Sequence, residues 1–384
     1  MPERSVQCTG LFVLCYTLVM EEYISDYKNG LLQISASLHH YYGLTCEYQD
    51  DPDVSHWLSS HAFRCVIVVL VDGMGSRLLQ KYGSDLSITK QMKKECMTVF
   101  PPTTSAATTA LLTGKSPAEN GWLGWNQYFS EVDDNIILFL DKAQYSSRKY
   151  PGFTEKTLPV TTILDQLHDR NIPCDSIWPS FGHHGCASFH EQCQLAAKLC
   201  HQSDLRFLYV YWDGFDSWLH EHGPSHPDIG RQLAMINDDI LMLEKMVGED
   251  TGVLVIADHG QIDCTIYEMQ KDEELMAMFR HMPALEARAC AFYIKPGLEK
   301  QFEALFHQRF GEKFLLLHKS EILSREIFGP GIPHPRFSEF IGDYLAIALT
   351  PLSLTAKSSH FLGQHAGAMV DEAMIPVILS DESV

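Results

Sequence analysis

Positive charge is scarce in this chain. Its 384 residues include 29 lysines and arginines against 49 aspartates and glutamates, which gives a formal net charge of −20 at pH 7. This deficit excludes a protein that binds nucleic-acid polymers, because such proteins carry a clustered excess of basic residues. Any other anionic ligand would need bound cations to reverse the local field. A hydrophobic content of 45% also excludes a disordered chain.

No two of the eleven cysteines are spaced as C-x-x-C. Their odd number and scattered positions exclude a zinc knuckle and a disulfide framework. Several lie inside apolar runs, such as Cys65, where cysteine behaves as a small hydrophobic residue. The cysteines therefore predict reduced thiols in a cytoplasmic protein.

Long hydrophobic runs are missing as well. Only residues 8–20 suggest targeting, and they are too short for the roughly 20 apolar residues that a membrane span needs. Three interpretations of residues 1–19 stay open: a weak signal peptide without a clear cleavage site, a docked helix, or a segment before a natural start at Met20. We favour the last two, and expect residues 1–60 to form an N-terminal helical arm that is not bound to a membrane.

Three continuous apolar runs do occur, at 66–71, 205–212 and 252–257. Runs of this kind are typical of parallel strands that are buried on both faces. Helical periodicity at 161–170 and 226–247 separates them. The alternation predicts an α/β fold with a doubly wound, mostly parallel sheet flanked by helices, in one catalytic domain over 61–384. Ligands of such sheets bind beyond the carboxyl ends of the strands.

The pattern changes between 288 and 329 to strand, helix, strand and short helix. It predicts a small α+β insertion over about 265–345. A proline-rich turn at 330–337 would then lead back to the main sheet through a strand in GDYLAIAL, residues 342–349.

Polar side chains follow the predicted strands. Asp72 comes directly after the first run, and Asp258 and His259 come after the last. Asp216 and His220 share one face if their segment is helical, since they are four residues apart. Carboxylate and imidazole together suit a divalent ion such as zinc. Taken alone, Asp72 is more often a turn residue, the spacing of Asp216 and His220 is a weak signal, and His365, among glycines, is more often a loop histidine.

A hydroxyl-rich segment at 103–109 begins a predicted helix. A threonine at a helix start either caps the helix or presents its oxygen to a phosphate that the free N–H groups attract. The residues alone favour the cap.

The order of these motifs resembles the alkaline phosphatase superfamily, most closely its type I phosphodiesterase/nucleotide pyrophosphatase branch. The chain carries strand-DG, PTTSAATTALLTG, DxxxH, strand-DHG and GxHxG in that order over residues 66–379. In that branch the nucleophilic threonine lies nine residues before the threonine of a TG pair. Counting back from Thr113 gives Thr104 and not Thr103.

The resemblance implies two divalent metal ions, zinc or alternatively manganese. One would be held by Asp72, Thr104, Asp258 and His259, and the other by Asp216, His220 and His365. It further implies hydrolysis of a small phosphodiester or pyrophosphate, such as a nucleotide, through a phosphothreonine intermediate on Thr104. The sequence leaves open a phosphomonoesterase, phosphonate hydrolase or phosphomutase on the same site, a non-catalytic metal-binding protein, and the oligomeric state.

The chain departs from that branch at one position. Ala107 stands where the branch has an asparagine that contacts the phosphate, and we expect Asn126 to take over as the substrate-binding donor. The histidines His183, His184, His222 and His226 are left out of the two metal sites, because chance clustering is expected among 19 histidines. Aromatic residues at 122–129 fit either a leaving-group platform or core packing.

Overall fold

The computed structural model describes residues 27–202 and 204–380. The first 26 residues of the predicted arm, and with them the choice between Met1 and Met20, lie outside the described residues. Within the described ranges no helix is both long and apolar enough to cross a membrane.

The seventeen described strands fall into two large sheets and two small pairs. They are β1 (Cys65–Val71), β2 (Met92–Met97), β3 (Asn126–Phe129), β4 (Asp134–Ile137), β5 (Lys142–Ala143), β6 (Cys174–Ile177), β7 (Phe207–Trp212), β8 (Thr251–Ile256), β9 (Ile262–Asp263), β10 (Thr265–Glu268), β11 (Phe279–Leu285), β12 (Ala289–Ile294), β13 (Phe314–His318), β14 (Tyr344–Ala348), β15 (Leu352–Thr355), β16 (Gly363–Gln364) and β17 (Met374–Leu379).

The described α-helices surround these sheets. They are α1 (Leu31–Tyr41), α2 (Pro52–His61), α3 (Ser76–Tyr82), α4 (Ser87–Lys90), α5 (Thr104–Thr113), α6 (Pro117–Asn120), α7 (Phe153–Thr157), α8 (Ile163–Asp169), α9 (Phe189–Gln202), α10 (Gly214–His222), α11 (Ile229–Val247), α12 (Glu273–Met276), α13 (Glu299–Phe310), α14 (Lys319–Ser324), α15 (Phe337–Phe340) and α16 (Val370–Ala373).

The main sheet has the order β2-β17-β8-β1-β7-β6. Strands β8, β1, β7 and β6 pair in parallel, whereas β17 runs antiparallel to both of its neighbours. All seven residues of β1 are buried, as a strand covered on both faces requires. The predicted α/β fold with a mostly parallel sheet is therefore confirmed.

The register of the main sheet positions the site. Val71 at the end of β1 lies beside Trp212 of β7, and Leu70 lies beside Ile256 of β8. Since these three parallel strands end at one edge, the polar residues that follow them emerge side by side.

The second sheet has the order β13-β14-β12-β11-β3-β4-β5. The expectation that 342–349 returns to the main sheet is wrong, because β14 pairs antiparallel with β12 and β13 of the second sheet. A fully buried apolar strand looks the same in either sheet, and its partners lie far along the sequence. Strands β3 to β5, from 126–143, also join this sheet, while the boundaries proposed for the insertion stay a prediction.

Helices α1 and α2 pack into the core of the main sheet. The Ser35 hydroxyl of α1 donates a hydrogen bond to the carbonyl of Leu111 in α5 at 2.6 Å. The Trp57 indole of α2 donates to the carbonyl of Ser380 at 3.1 Å. The described part of the predicted arm thus contributes to the same hydrophobic core as β1, β7 and β8.

Candidate active site

The first cluster of polar side chains lies where β1 and β8 end. Asp72, Asp258 and His259 are buried, and their potential ligand atoms lie within 4.8 Å of one another. The Nε2 atom of His259 is 3.2 Å from Asp72 Oδ1 and 3.6 Å from Asp258 Oδ2. Asp258 Oδ1 accepts hydrogen bonds from the backbone amides of Gly73 and His259, whereas the buried Oδ2 has no hydrogen-bond partner in the described chain.

Gly260 allows the adjacent Asp258 and His259 to reach one point. The strand ends at Ile256, so the backbone is free to turn there. A Cβ on Gly260 would lie 2.1 Å from the carbonyl oxygen of Asp371, and the Gly260 amide donates to the Glu372 carbonyl at 2.8 Å. Any larger residue would push the two segments apart.

Thr104 is the first residue of helix α5, and its hydroxyl points into this cluster. Its Oγ1 lies 3.4 and 3.3 Å from the two oxygens of Asp72 and 3.3 Å from His259 Nε2. The neighbouring Thr103 is the N-cap and instead donates its hydroxyl to Glu286 at 2.6 Å. The structure therefore distinguishes the two threonines, and only Thr104 lies among the predicted ligands.

The second cluster consists of Asp216, His220 and His365, whose ligand atoms again lie within 4.8 Å of one another. Asp216 and His220 are on helix α10, and His220 Nε2 is 3.3 Å from Asp216 Oδ2. The His365 and His259 rings stack with their centres 3.8 Å apart, so the two clusters adjoin. All seven predicted metal-site residues are thus brought together.

The three histidines share one orientation. Their Nδ1 atoms face backbone carbonyls: His259 that of Gly260 at 3.1 Å, His220 that of Gly363 at 2.8 Å, and His365 that of Pro102 at 3.0 Å. A carbonyl only accepts hydrogen bonds, so each Nδ1 carries a proton, and in the neutral ring the lone pair lies on Nε2. This is the tautomer that a metal-binding histidine needs.

The charges of the centre are mutually dependent. Burial, followed by repulsion from Asp72, raises the pKa of Asp258 well above its usual range. Burial would lower the pKa of His259, but the Asp258 and Asp72 carboxylates outweigh it and raise that pKa to about 10. Burial and the charge of His259 lower the pKa of His365 well below its usual value. The carboxylates of this centre thus compete for positive charge, which bound cations would also supply.

Two side chains that sequence reasoning missed hold these ligands. The Tyr211 hydroxyl donates a short hydrogen bond to Asp72 Oδ2, and the Gln261 amide donates another to Asp216 Oδ1. The sequence marks these two residues only weakly as partners of the predicted ligands. The one general indication is that the hydroxyl of a buried tyrosine usually needs a hydrogen-bond acceptor.

A buried ion pair anchors the loop that carries His365. The Arg288 guanidinium is fully buried and bonds both oxygens of Glu372, each at 2.7 Å. Glu372 also accepts from the backbone amide of Gly367 at 2.7 Å. Arg288 further donates to the carbonyls of Thr350 and Leu352, so the second sheet and the His365 loop are tied together.

A cavity of about 650 Å³ opens beside the two clusters. Its lining includes Thr104, Asp216, His220 and His365 from the clusters, and Asn126, Trp125 and Glu286 from the second sheet and its loops. The predicted aromatic platform is therefore represented in the lining by Trp125, whereas Trp122, Tyr128 and Phe129 belong to the core of the second sheet.

Asn126 lies in this cavity but is partly engaged. Its side-chain amide donates to the Leu285 carbonyl at 3.0 Å, and its oxygen accepts from Asn135 at 3.2 Å. The second hydrogen of the Asn126 side-chain amide is not used by these contacts and could be donated to a substrate. The contact between Asn126 and substrate stays a prediction. Ala107 is fully buried in the main core.

Glu286 was not expected in the site. Its Oε1 accepts hydrogen bonds from the Thr103 hydroxyl at 2.6 Å and from the Trp125 amide at 2.7 Å. Burial raises the pKa of this carboxyl to about 7. No motif marks the residue, because it reaches the cavity from the end of β11 in the second sheet.

A family model describes much of the chain. The model of type I phosphodiesterase/nucleotide pyrophosphatase matches residues 66–304. The chain belongs to this type I phosphodiesterase/nucleotide pyrophosphatase family. It is therefore a phosphoryl-transferring hydrolase of the alkaline phosphatase superfamily, and the predicted resemblance is confirmed. The match ends before His365, which the fold brings to the other six residues.

Solved structures share the fold at low identity. Murine ectonucleotide pyrophosphatase/phosphodiesterase 5, in an inactive threonine-to-alanine form in complex with AMP, is 17% identical with a TM-score of 0.65, over 83% of this chain and 88% of that one. Phosphonoacetate hydrolase from Sinorhizobium meliloti 1021, in complex with phosphonoacetate, is 14% identical with a TM-score of 0.62, over 83% and 90%. The search of curated proteins gives no significant match.

Proposed function

We propose that the chain hydrolyses small phosphodiesters or pyrophosphates, with Thr104 as the nucleophile and two divalent metal ions as cofactors. One observation carries the proposal. The Thr104 hydroxyl lies at the start of a buried helix, 3.3–3.4 Å from Asp72 and His259, beside a buried Asp258 oxygen without a hydrogen-bond partner.

The described residues fit two metal ions. Asp72, Thr104, Asp258 and His259 would hold one, and Asp216, His220 and His365 the other. In their neutral form the three histidines present Nε2 lone pairs, and the buried Asp258 Oδ2 has no hydrogen-bond partner in the described chain that a cation would displace. Oxygen and imidazole ligands favour zinc and tolerate manganese. Such ions, when bound, would lower the pKa of the threonine hydroxyl and neutralise charge on the transferred phosphoryl group.

The residues of the chain then act on the substrate. Thr104 Oγ1 gives up its proton to water and attacks phosphorus, the phosphorus–oxygen bond to the leaving group breaks, that oxygen takes up a proton from water, and a phosphothreonine forms. Water hydrolyses this ester and restores the hydroxyl. The first N–H groups of α5 lack partners inside the helix and would stabilise the oxygens of a phosphoryl group bound beside Thr104.

The relatives support this assignment in outline. One of them, named a nucleotide pyrophosphatase/phosphodiesterase, was solved with AMP after a threonine had been replaced by alanine and is described as inactive. A small nucleotide ester is accordingly the substrate class we favour. A net charge of −20 argues against a nucleic-acid polymer. The scattered cysteines lead us to place the enzyme in the cytoplasm.

A phosphonate or monoester substrate is the second candidate. Ala107 stands where the nucleotide branch has an asparagine that contacts the phosphate. Phosphonoacetate hydrolase shares the fold of this chain with a TM-score similar to that of the nucleotide pyrophosphatase. Direct comparison of diester, monoester and phosphonate turnover separates the two candidates. Binding of two ions without turnover of any of these substrates would instead favour a non-catalytic metal-binding protein.

The test uses bis-p-nitrophenyl phosphate. Chelation should abolish turnover and Zn²⁺ should restore it, while Thr104→Ala should lower kcat at least about 10³-fold. Thr103→Ser is the matched control, because it keeps the hydroxyl that donates to Glu286 and should retain activity. Full activity of a folded Thr104→Ala variant would overturn the proposal.

A further inference from the structure

A third cluster of potential ligands lies away from the active site. Asp175 on strand β6 faces His183 and His184, with His183 Nε2 3.0 Å from Asp175 Oδ1 and His184 Nε2 2.9 Å from Oδ2. The potential ligand atoms lie within 4.8 Å of one another. None of these residues lines the 650 Å³ cavity, and β6 is the edge strand, separated from β1 by β7.

The loop after β6 is built to bring both histidines to this carboxylate. Its two arms are joined by hydrogen bonds from the Trp178 amide to the His183 carbonyl at 3.0 Å and from the Cys186 amide to the Trp178 carbonyl at 3.1 Å. His184 adopts φ +59°, a left-handed conformation that is unfavourable for a side-chain-bearing residue. As a result, two consecutive imidazoles lie on the same side, with ring centres 4.1 Å apart.

We propose that Asp175, His183 and His184 form a third metal site, which binds a divalent transition-metal ion of the zinc class. Two imidazole nitrogens and a carboxylate oxygen are a ligand set that zinc uses, with water completing the coordination. The ion would replace the two hydrogen bonds to Asp175 with stronger bonds and so stabilise the left-handed backbone at His184. The Ser176 amide, which donates to Asp175 Oδ1 at 2.8 Å, orients the carboxylate.

The site is structural rather than catalytic. It is open to solvent, since the side chains of His183 and His184 are 61% and 30% exposed. Its loop carries Trp178, whose ring packs 5.1 Å from the ring of Tyr211, the residue that donates to Asp72. An ion here would therefore rigidify the loop behind the active site without touching the substrate.

The test counts metal ions in the full chain. The variant His183→Gln/His184→Asn removes both imidazoles, and asparagine tolerates the left-handed conformation. The matched control is His40→Ala/His190→Ala, which removes two histidines that each contact a single aspartate, Asp50 or Asp239. After loading with Zn²⁺ and gel filtration, we expect the test variant to hold one ion per chain fewer than the parent and the control to hold the same number.

Thermal unfolding supplies an independent readout. Zn²⁺ should raise the melting temperature of the parent more than that of the test variant. The kcat values of the parent and the test variant at saturating Zn²⁺ should agree within about twofold. Asp175→Asn, which keeps the shape of the side chain and weakens metal binding, should also lose one ion. Equal metal content in the parent and in either folded variant would overturn the proposal and leave Asp175 as a hydrogen-bond acceptor for two histidines.

Discussion

The histidines of the candidate active site differ from those of the β6 cluster, which consists of Asp175, His183 and His184, in the contacts that orient their rings. In the candidate active site the three Nδ1 atoms are fixed by backbone carbonyls, and the Nε2 atoms of His259 and His220 lie beside the carboxylates of Asp72 and Asp216. In the β6 cluster the Nε2 atoms bond Asp175 directly, and no hydrogen bond to Nδ1 of His183 or His184 is found within the described residues. The backbone therefore sets the ligand orientation in the first group, whereas the carboxylate sets it in the second.

The largest effect should come from removing one active-site histidine. His365→Ala should lower kcat/KM at least about 10³-fold, because it removes one of the three side chains proposed to hold the second ion. His184→Asn is the counterpart in the β6 cluster and should change kcat/KM by less than about twofold. Steady-state kinetics with added Zn²⁺ checks both. A similar loss of kcat/KM in His365→Ala and in His184→Asn would contradict the assignment of different roles to the two groups of histidines.

Breaking the support of the His365 loop should destabilise the fold. Glu372→Gln leaves the Arg288 guanidinium buried without its carboxylate, which should cost about 3–5 kcal/mol of unfolding free energy. Urea unfolding measures the loss. Glu274→Gln removes an exposed partner of Arg309 and should leave the midpoint nearly unchanged. An unchanged midpoint in Glu372→Gln would show that the ion pair does not hold this loop.

Tyr211 connects the two groups and gives a smaller effect. Tyr211→Phe removes the hydroxyl that donates to Asp72 and should lower activity about 10- to 100-fold, as for other partners of metal ligands. Tyr209→Phe is the matched control, since the buried Tyr209 hydroxyl has no hydrogen-bond partner within the described chain. Equal activities of the two variants would mean that the bond to Asp72 does not orient the ligand.

The smallest effect concerns pH. Burial raises the pKa of Glu286 from 4.5 to about 7, so the folded chain holds this proton over a range where the unfolded chain has lost it. Unfolding free energy of the chelated protein should therefore fall as pH rises from about 4.5 to about 7. Glu286→Gln should remove on the order of 1 kcal/mol of this fall per pH unit, as measured by urea titrations at several pH values. If the unfolding free energy had the same pH profile in the parent and in Glu286→Gln, this contribution of Glu286 would be excluded.

Strand ends and motif order predict most of the residues that the structure brings together in the candidate active site. The residues after β1 and β8 and the Asp216–His220 spacing follow from local pattern, because parallel strands end at one edge. The choice of Thr104 over Thr103 depends on the family resemblance, and the structure supports it through the contact of Thr103 with Glu286.

What the sequence does not predict depends on contacts between distant segments. Glu286 enters the cavity from the second sheet, and β14 finds its partners there, although neither carries a local signal for that location. The β6 cluster was missed for another reason. Adjacent histidines usually point apart, and only the left-handed backbone at His184 brings them to one side.

The position of β17 has a consequence for synthesis. This strand, at 374–379, lies between β2 and β8, and the loop before it carries His365. A nascent chain must therefore leave an edge of β8 unpaired until more than one hundred further residues have been made, and until then it also lacks a predicted ligand. Assembly of the sheet and assembly of the candidate site therefore wait for the same segment of the chain.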